Sequence, residues 1–225
     1  MASYEQEERQ DPYAYPGSSV LKNRFGIKEH EIFSQLEYSA TRVRINQLMT
    51  APIRGSFDLD HLCEIHRHIF QDVYEWAGER RSGSLSKGGS TFAEPEYIAS
   101  EAKKIFARLK GDNLLRGLEP SAFAKRAADY FSDINALHPF REGNGRAIQT
   151  FLDQLAGLSE YQLDFAKVGR KEWNEAARKS FHGNCKPMAQ ILRRIMVTGE
   201  AAAKPSAIKR KKPRGSSQSA SKQNA

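Results

Sequence analysis

The chain has 225 residues, a formal net charge of +8 and a hydrophobic fraction of 39%. This length is sufficient for one hydrophobic core, and no apolar run approaches the roughly 20 residues that span a bilayer. The polar, acidic N-terminal sequence excludes a signal peptide. The two cysteines, Cys63 and Cys185, are too few for a disulfide framework, which favours a reducing cytoplasm.

Most of the positive charge lies at the C-terminal end. Residues 201–225 contain seven Lys or Arg and no acid, which leaves +1 of the total +8 for residues 1–200. Their Ala, Ser, Lys and Gln content, without aromatic residues, predicts a disordered basic tail. Such a tail is either simply solvated or makes nonspecific contacts with nucleic acid. The rest of the chain offers no basic patch for nucleic acid.

Hydrophobic residues with helical spacing predict a mainly α-helical protein. Residues 11–17 carry the turn-forming residues of an extended arm. A first helix is predicted from Glu29 to about Met49, and Asp58 can cap the second helix. The stripe that indicates the first helix consists of Ile32, Leu36, Ala40 and Val43.

Residues 79–93 differ from these helices because they show no helical period. Gly88-Gly89 is a turn signal, so this segment is predicted to form a short, exposed β-hairpin. Five further helices are predicted. One follows Pro95, one lies on each side of a break at Pro139, and two shorter ones lie near the C-terminal end.

The break between the two central helices contains the sequence HPFREGNGR, residues 138–146. These nine residues include an imidazole, a carboxylate, two guanidiniums, an amide and two glycines. A glycine-bearing loop that opens a helix presents free backbone N–H groups at the positive end of the helix dipole, which suits a phosphate. The sequence therefore predicts an anion site with a titratable base at its edge.

His138 and Glu142 are the candidate chemical groups of this loop. A neutral imidazole near pH 7 can take a proton from a hydroxyl group, although His138 can also serve only as a helix C-cap. The carboxylate of Glu142 can hold Mg²⁺. Its alternative role is to stabilise the dipole of the following helix.

The remaining polar residues of the loop are candidates for phosphate binding. Gly143 and Gly145 permit close approach of a phosphate to the backbone. Asn144 can donate to a phosphate oxygen, and Arg146 can neutralise a leaving diphosphate. A Gly-Asn-Gly sequence is also common in ordinary turns, so the order of all these residues is the informative feature.

That order, HPFREGNGRAIQ, resembles the Fic family signature His-x-Phe-x-(Asp/Glu)-Gly-Asn-Gly-Arg-x-x-Arg. Residues 65–78, IHRHIFQDVYEWAG, resemble the upstream segment of the same family, and the likeness extends roughly over residues 58–197. It implies an all-α bundle with one β-hairpin flap over the active-site loop. We therefore divide the chain into an N-terminal arm and first helix (1–57), a catalytic core (58–200) and the basic tail (201–225).

The resemblance implies a protein adenylyltransferase that moves AMP from ATP to a Ser, Thr or Tyr hydroxyl of a target protein. In that role His138 deprotonates the hydroxyl and Glu142 holds Mg²⁺. The loop from Gly143 to Gly145, with Asn144, cradles the α-phosphate, and Arg146 contacts the β-phosphate.

The hairpin would bind an extended segment of the target by strand addition. The residues assigned to this flap are Lys87, Ser90, Thr91 and Phe92. The alternative is that the hairpin is a mobile surface loop.

One position departs from the family signature: Gln149 stands where the family has its second arginine. Glutamine can hydrogen-bond to a phosphate but brings no charge. This leaves open a weaker enzyme, transfer of a different nucleotide, or a degenerate scaffold that binds a target through its flap without catalysis.

The resemblance also implies partners. The inhibitory pattern (Ser/Thr)-x-x-x-Glu-(Gly/Asn) is missing from the sequence, so the predicted inhibitor is a separate small antitoxin. The arm around Asp11-Pro12-Tyr13 resembles that of stand-alone bacterial Fic toxins, which implies a type II topoisomerase subunit such as gyrase B as the target. A cytoplasmic location is expected, and an export signal in the tail is the alternative. His66 and His68 point to different helix faces, which predicts structural or surface roles.

Overall fold

The computed structural model describes residues 11–87 and 90–198. Within these ranges it is mainly helical, as predicted. The helices are α1 (His30–Thr50), α2 (Leu59–Phe70), α3 (Ile98–Gly111), α4 (Pro120–Leu137), α5 (Asn144–Gly157), α6 (Arg170–Phe181) and α7 (Lys186–Ile195). The predicted basic tail and the Gly88-Gly89 turn lie outside the described residues. None of the helices described has both the length and the apolar character needed to cross a bilayer.

Two short antiparallel sheets accompany the helices. Strands β1 (Ser86–Lys87) and β2 (Ser90–Thr91) form the hairpin and confirm its prediction. A second sheet pairs β3 (Tyr161–Leu163) with β4 (Met196–Thr198). The sequence predicts one hairpin only and gives no sign of this second sheet, because strands of three residues are too short to show an alternating pattern.

Helix α4 lies at the centre of the fold and packs against α3, α5, α6 and α7. Its inward face is fully or almost fully buried, including Phe123, Tyr130 and Phe131. Complete burial of one such side chain contributes about 1.5–3 kcal/mol. Helix α5 packs in turn against α2. The connection between α4 and α5 is therefore held at both ends by the hydrophobic core.

The predicted range of the first helix is confirmed. Most of the apolar residues whose spacing indicated this helix, however, are exposed. Ile32, Leu36 and Val43 are 52%, 39% and 58% exposed, whereas the buried side of α1 carries Phe33 and Leu48. The helix therefore rests on the core through a narrow face. The neighbouring apolar face remains exposed in the described chain.

The N-terminal arm reaches the connection between α4 and α5. Arg141 donates from Nε to Asp11 Oδ2 at 2.9 Å, and the Tyr13 ring meets the Trp76 ring edge-on at 5.4 Å between centroids. Burial alone would raise the pKa of Asp11, but hydrogen bonds from Arg141 and from the Tyr13 amide hold it below its ordinary value. The arm is thus fixed to the loop by charge and to the segment after α2 by an aromatic contact.

Candidate active site

His138 ends helix α4 in a left-handed conformation, with φ 45° and ψ 62°. This region is uncommon for residues other than glycine, and it costs about 1–2 kcal/mol. The His138 amide still donates to the Ile134 carbonyl at 3.1 Å, and its carbonyl accepts from Arg81 Nε at 2.8 Å. The strained backbone is therefore held by a hydrogen bond on each side.

The His138 ring is oriented by a backbone carbonyl and an aromatic ring. Its Nδ1 lies 3.2 Å from the Asn135 carbonyl oxygen, and because a carbonyl only accepts, the hydrogen belongs on Nδ1. Nε2 is then the ring nitrogen that can accept a proton. Phe92 stacks on the imidazole, with 3.8 Å between centroids and 15° between planes. This residue, assigned to target docking, is only 8% exposed and packs inward.

Asn144 closes the loop that follows. Its Oδ1 accepts from the Phe140 amide at 3.0 Å, and its Nδ2 donates to the Phe140 carbonyl at 2.7 Å. Asn144 is 2% exposed and Phe140 is fully buried. The Asn144 side chain thus fixes the loop backbone through Oδ1 and one N–H of Nδ2. Its second N–H leaves the predicted contact with a phosphate a prediction.

His66, on helix α2, supports the same loop. The Gly78 amide donates to His66 Nδ1 at 2.8 Å, so the ring hydrogen is on Nε2, which donates to the Glu142 carbonyl at 3.0 Å. The ring is stacked between Phe70 and Phe140, with centroid distances of 4.5 and 3.9 Å. Burial lowers the pKa of His66 to about 4. The structural role expected for His66 is that of a neutral, buried support for the loop.

The N-terminus of α5 is the place where the sequence predicts an anion site. Gly143 is its N-cap with φ +82°, and a Cβ atom there would lie 2.2 Å from Cζ of Phe70. The first amides of a helix, here those of Asn144, Gly145 and Arg146, have no intrahelical acceptor. A Cβ on Gly145 would meet no atom within 4 Å. The loop thus leaves room above these amides for an anion.

Glu142 lies at the mouth of this site. Its Oε1 accepts from the Gly143 amide at 2.8 Å and lies 3.5 Å from an Arg146 nitrogen, and its side chain is 41% exposed. No cluster of three or more His, Cys, Asp or Glu is arranged for a metal among residues 11–87 and 90–198. A single exposed carboxylate suits Mg²⁺ that keeps water and phosphate oxygens as its other ligands.

Arg146 is already paired within the protein. Its Nη2 lies 3.0 Å from Glu37 Oε1, its Nη1 donates to Thr41 at 3.1 Å, and its guanidinium lies 4.6 Å above the Phe70 ring centroid. Tyr74 also donates to Glu37, at 2.8 Å. The sequence does not reveal this role of α1, because Glu37 and Arg146 are 109 residues apart and share no motif.

The remaining predicted residues lie on helix α5 and on the hairpin. Gln149 is partly buried on α5, three residues after Arg146 and therefore on a neighbouring surface of the helix. Lys87 belongs to β1, and Ser90 and Thr91 form β2, with Thr91 exposed. Phe92 follows β2 and connects the hairpin to His138 through its ring.

The sequence is similar to those of known proteins. A family model described as the Fic/DOC family matches residues 56–156. The chain is 40% identical over 188 residues to "Probable protein adenylyltransferase y4lH" from Sinorhizobium fredii, covering 83% of this chain and 96% of that protein. It is 34% identical over 190 residues to "Probable protein adenylyltransferase Fic" from Escherichia coli K12, covering 84% and 94%.

The chain belongs to the Fic/DOC family. It is also 41% identical to "Protein adenylyltransferase VbhT" from Bartonella schoenbuchensis, but it spans only 38% of that longer protein. Among solved structures, the BepC protein of Bartonella tribocorum with bound AMPPNP matches with a TM-score of 0.80 and 28% identity, over 84% of this chain and 97% of that one. The predicted family and fold are confirmed.

The two loop glycines of this Fic protein should differ sharply in their tolerance to alanine. Gly143→Ala combines a left-handed backbone with a clash against Phe70, so we expect it to lower the free energy of unfolding by about 2–5 kcal/mol. Gly145→Ala is the control and should match the wild type or exceed it by up to about 1 kcal/mol. Denaturant unfolding measures both, and equal stabilities would contradict the loop geometry.

Acidification should destabilise the Fic protein through His66. The unfolded chain protonates this residue near its usual pKa of 6.5, whereas the folded protein does so only near 4. The stabilisation is thus complete above pH 6.5 and is lost progressively as the pH falls to 4, by on the order of 3 kcal/mol. His66→Gln keeps a donor for Glu142 but cannot titrate, so its pH profile should lack this component. Parallel unfolding profiles for the two proteins would refute the assignment.

Proposed function

We propose that this Fic protein is a protein adenylyltransferase, which transfers AMP from ATP to a Ser, Thr or Tyr hydroxyl of a target protein. The observation that carries the proposal is the placement of His138, with its Nδ1–H on the Asn135 carbonyl, at the start of the loop that ends in the amides of α5. Its similarity to proteins that are named protein adenylyltransferases supports the same activity.

In the proposed reaction, Nε2 of His138 takes the proton of the target hydroxyl. The hydroxyl oxygen forms a bond to the α-phosphorus of ATP. The bond from that phosphorus to the oxygen bridging it to the β-phosphate breaks, and diphosphate leaves with the electron pair. A general base in this position contributes about 10²–10⁴-fold to the rate.

The chain's own groups would bind and orient the phosphates. The amides of Asn144, Gly145 and Arg146 would receive the α-phosphate at the positive end of α5. The Arg146 guanidinium would neutralise the leaving diphosphate from a position that Glu37 and Thr41 already fix. Gln149 would add a hydrogen bond without charge.

Glu142 would hold Mg²⁺ through its carboxylate. When bound, the metal supplies positive charge to the phosphate oxygens. Glu142→Gln should therefore raise the Mg²⁺ concentration needed for half-maximal transfer while ATP-independent properties such as unfolding stay unchanged. An unaltered Mg²⁺ dependence would remove Glu142 from this role.

The hairpin would present the target to this site by strand addition, through the backbone of Lys87, Ser90 and Thr91. Its inner side is anchored by Phe92, which packs on His138 and meets Phe181 edge-on at 5.7 Å. An extended segment added to the hairpin would then lie next to the base. Cross-linking of a bound target at position 91 tests this placement, and cross-links confined to other surfaces would oppose it.

A separate antitoxin and a cytoplasmic target complete the proposal. The exposed apolar face of α1, formed by Ile32, Leu36 and Val43, adjoins Glu37 and supports a partner near Arg146. By family resemblance the target is a type II topoisomerase subunit such as gyrase B. Labelling of purified gyrase B by this enzyme and ATP tests the target. Co-expression with a small protein that carries the pattern (Ser/Thr)-x-x-x-Glu-(Gly/Asn) tests the antitoxin, since equal toxicity with and without that protein would oppose this part of the proposal.

The decisive experiment is transfer of radiolabelled AMP to proteins of a bacterial lysate. His138→Ala should abolish the label, with the unfolding midpoint unchanged, because the base is removed and the loop is retained. His68→Ala is the control; this histidine lies on the same fold, where it contacts Gln47, and its loss should leave labelling intact. Label that persists in His138→Ala would exclude His138 as the base.

The departure at Gln149 favours a second candidate, a scaffold that binds a target without catalysis, or a transferase for another nucleotide. A panel of labelled nucleoside triphosphates separates these cases. Label from ATP supports the adenylyltransferase, and label from another nucleotide supports the altered specificity. A target retained by the wild type without any label supports the scaffold.

A further inference from the structure

Arg81 donates to the His138 carbonyl, but no step of the proposed reaction assigns it a role. It is 3% exposed, and none of the ion pairs within residues 11–87 and 90–198 includes it. Burial lowers the pKa of its guanidinium, an effect that the nearby Glu94 carboxylate partly opposes. Burying a charge without a paired carboxylate costs several kcal/mol unless hydrogen bonds compensate.

The compensating bonds go to three backbone carbonyls in three different segments. Nε donates to His138 O at 2.8 Å, Nη1 donates to Gly83 O at 2.7 Å, and Nη2 donates to Ala93 O. Gly83 precedes the hairpin and Ala93 follows it. One guanidinium therefore connects the residues on both sides of the hairpin to His138, the residue proposed as the base.

Backbone contacts extend this junction. The Arg81 amide donates to Pro139 O at 2.9 Å, so Arg81 binds two successive carbonyls after helix α4. The Ala93 amide donates to Ala136 O at 3.2 Å. Phe92, which stacks on His138, directly precedes Ala93 in the chain. Flap and base are thus linked by several contacts that surround a single side chain.

The bond to His138 acts on the strained part of the backbone. His138 has ψ 62°, which sets the direction of its carbonyl group. Relaxation to an ordinary conformation would turn this carbonyl away from Arg81 and displace the imidazole. A charged donor on the carbonyl opposes that rotation.

We propose that Arg81 is a positioning residue, which holds His138 and the hairpin flap in one fixed relation, so that a hydroxyl on a flap-bound target segment meets the base. The inference rests on the proposed function, because it takes His138 as the base and the hairpin as the docking element. Lysine cannot replace Arg81 in this role, since a single ammonium group cannot reach three diverging carbonyls as a planar fork does.

The test compares Arg81→Lys with Arg80→Lys, a control at the adjacent, exposed arginine. Using the labelled lysate protein as substrate, Arg81→Lys should lower kcat by about 10²-fold, the effect of displacing a catalytic group by about 1 Å. The KM for ATP and the calorimetric affinity for Mg-ATP should change by less than about twofold, since the α5 amides are untouched. Arg80→Lys should behave as the wild type.

A second measurement separates positioning from general stability. Hydrogen exchange of residues 83–93 should accelerate in Arg81→Lys, while residues 144–157 keep the protection of the wild type. In Arg81→Ala, added ethylguanidinium should restore at least about tenfold of the lost rate, and ethylammonium should not. Arg81 lines a cleft of about 590 Å³, which gives the small cation access.

The outcomes are distinguishable. Three results would each overturn the role of Arg81. The first is an unchanged kcat in Arg81→Lys, and the second is a parallel loss of Mg-ATP affinity and of hydrogen-exchange protection throughout the protein. The third is rescue by ethylammonium that is as effective as rescue by ethylguanidinium. The proposed function fails differently: it is overturned if the wild type transfers no label, whereas label that persists in His138→Ala removes only His138 as the base. A selective fall in kcat with guanidinium rescue supports the proposal.

Discussion

The site depends on buried polar contacts to the backbone of residues 138–143, the connection between α4 and α5. Asn144 holds Phe140 from within the loop, and His66 holds the carbonyl of Glu142 from α2. Both side chains are almost completely buried, where an unsatisfied polar group would cost about 1–3 kcal/mol. The loop conformation is therefore tied to the stability of the core. The amides of α5 are directed before any ligand arrives, which is the preorganisation that electrostatic catalysis requires.

The aromatic residues around the loop explain why its composition is so restricted. The His66 ring lies between Phe70 and Phe140. The Phe70 ring also fills the space that a side chain at Gly143 would need. Arg146 covers the same Phe70 ring with its guanidinium. A change in the Phe70 ring would alter both the packing beneath the loop and the position of Arg146. Packing and charge are thus set by one cluster.

Much of the fold could be predicted from the sequence, because long helices leave periodic stripes and the loop motif is contiguous. The Asp58 cap is one example: its side chain accepts from the His61 amide at 3.1 Å. What could not be predicted depends on contacts between distant residues. Spacing does not reveal that Glu37 pairs with Arg146, that Arg81 reaches three carbonyls, or that Asn144 turns inward. The three-residue strands β3 and β4 likewise pair across more than thirty residues without a local signal.

The arm and first helix carry a consequence for how the protein can be divided. The family model begins at residue 56, yet Asp11 pairs with Arg141 and Glu37 pairs with Arg146. Truncation to the matched region would remove the carboxylate of Arg141, leave Arg146 with Glu142 alone at 3.5 Å, and raise the local positive charge by two. Such a fragment would attract anions indiscriminately, so the smallest unit that preserves the electrostatics of the site extends back to the arm.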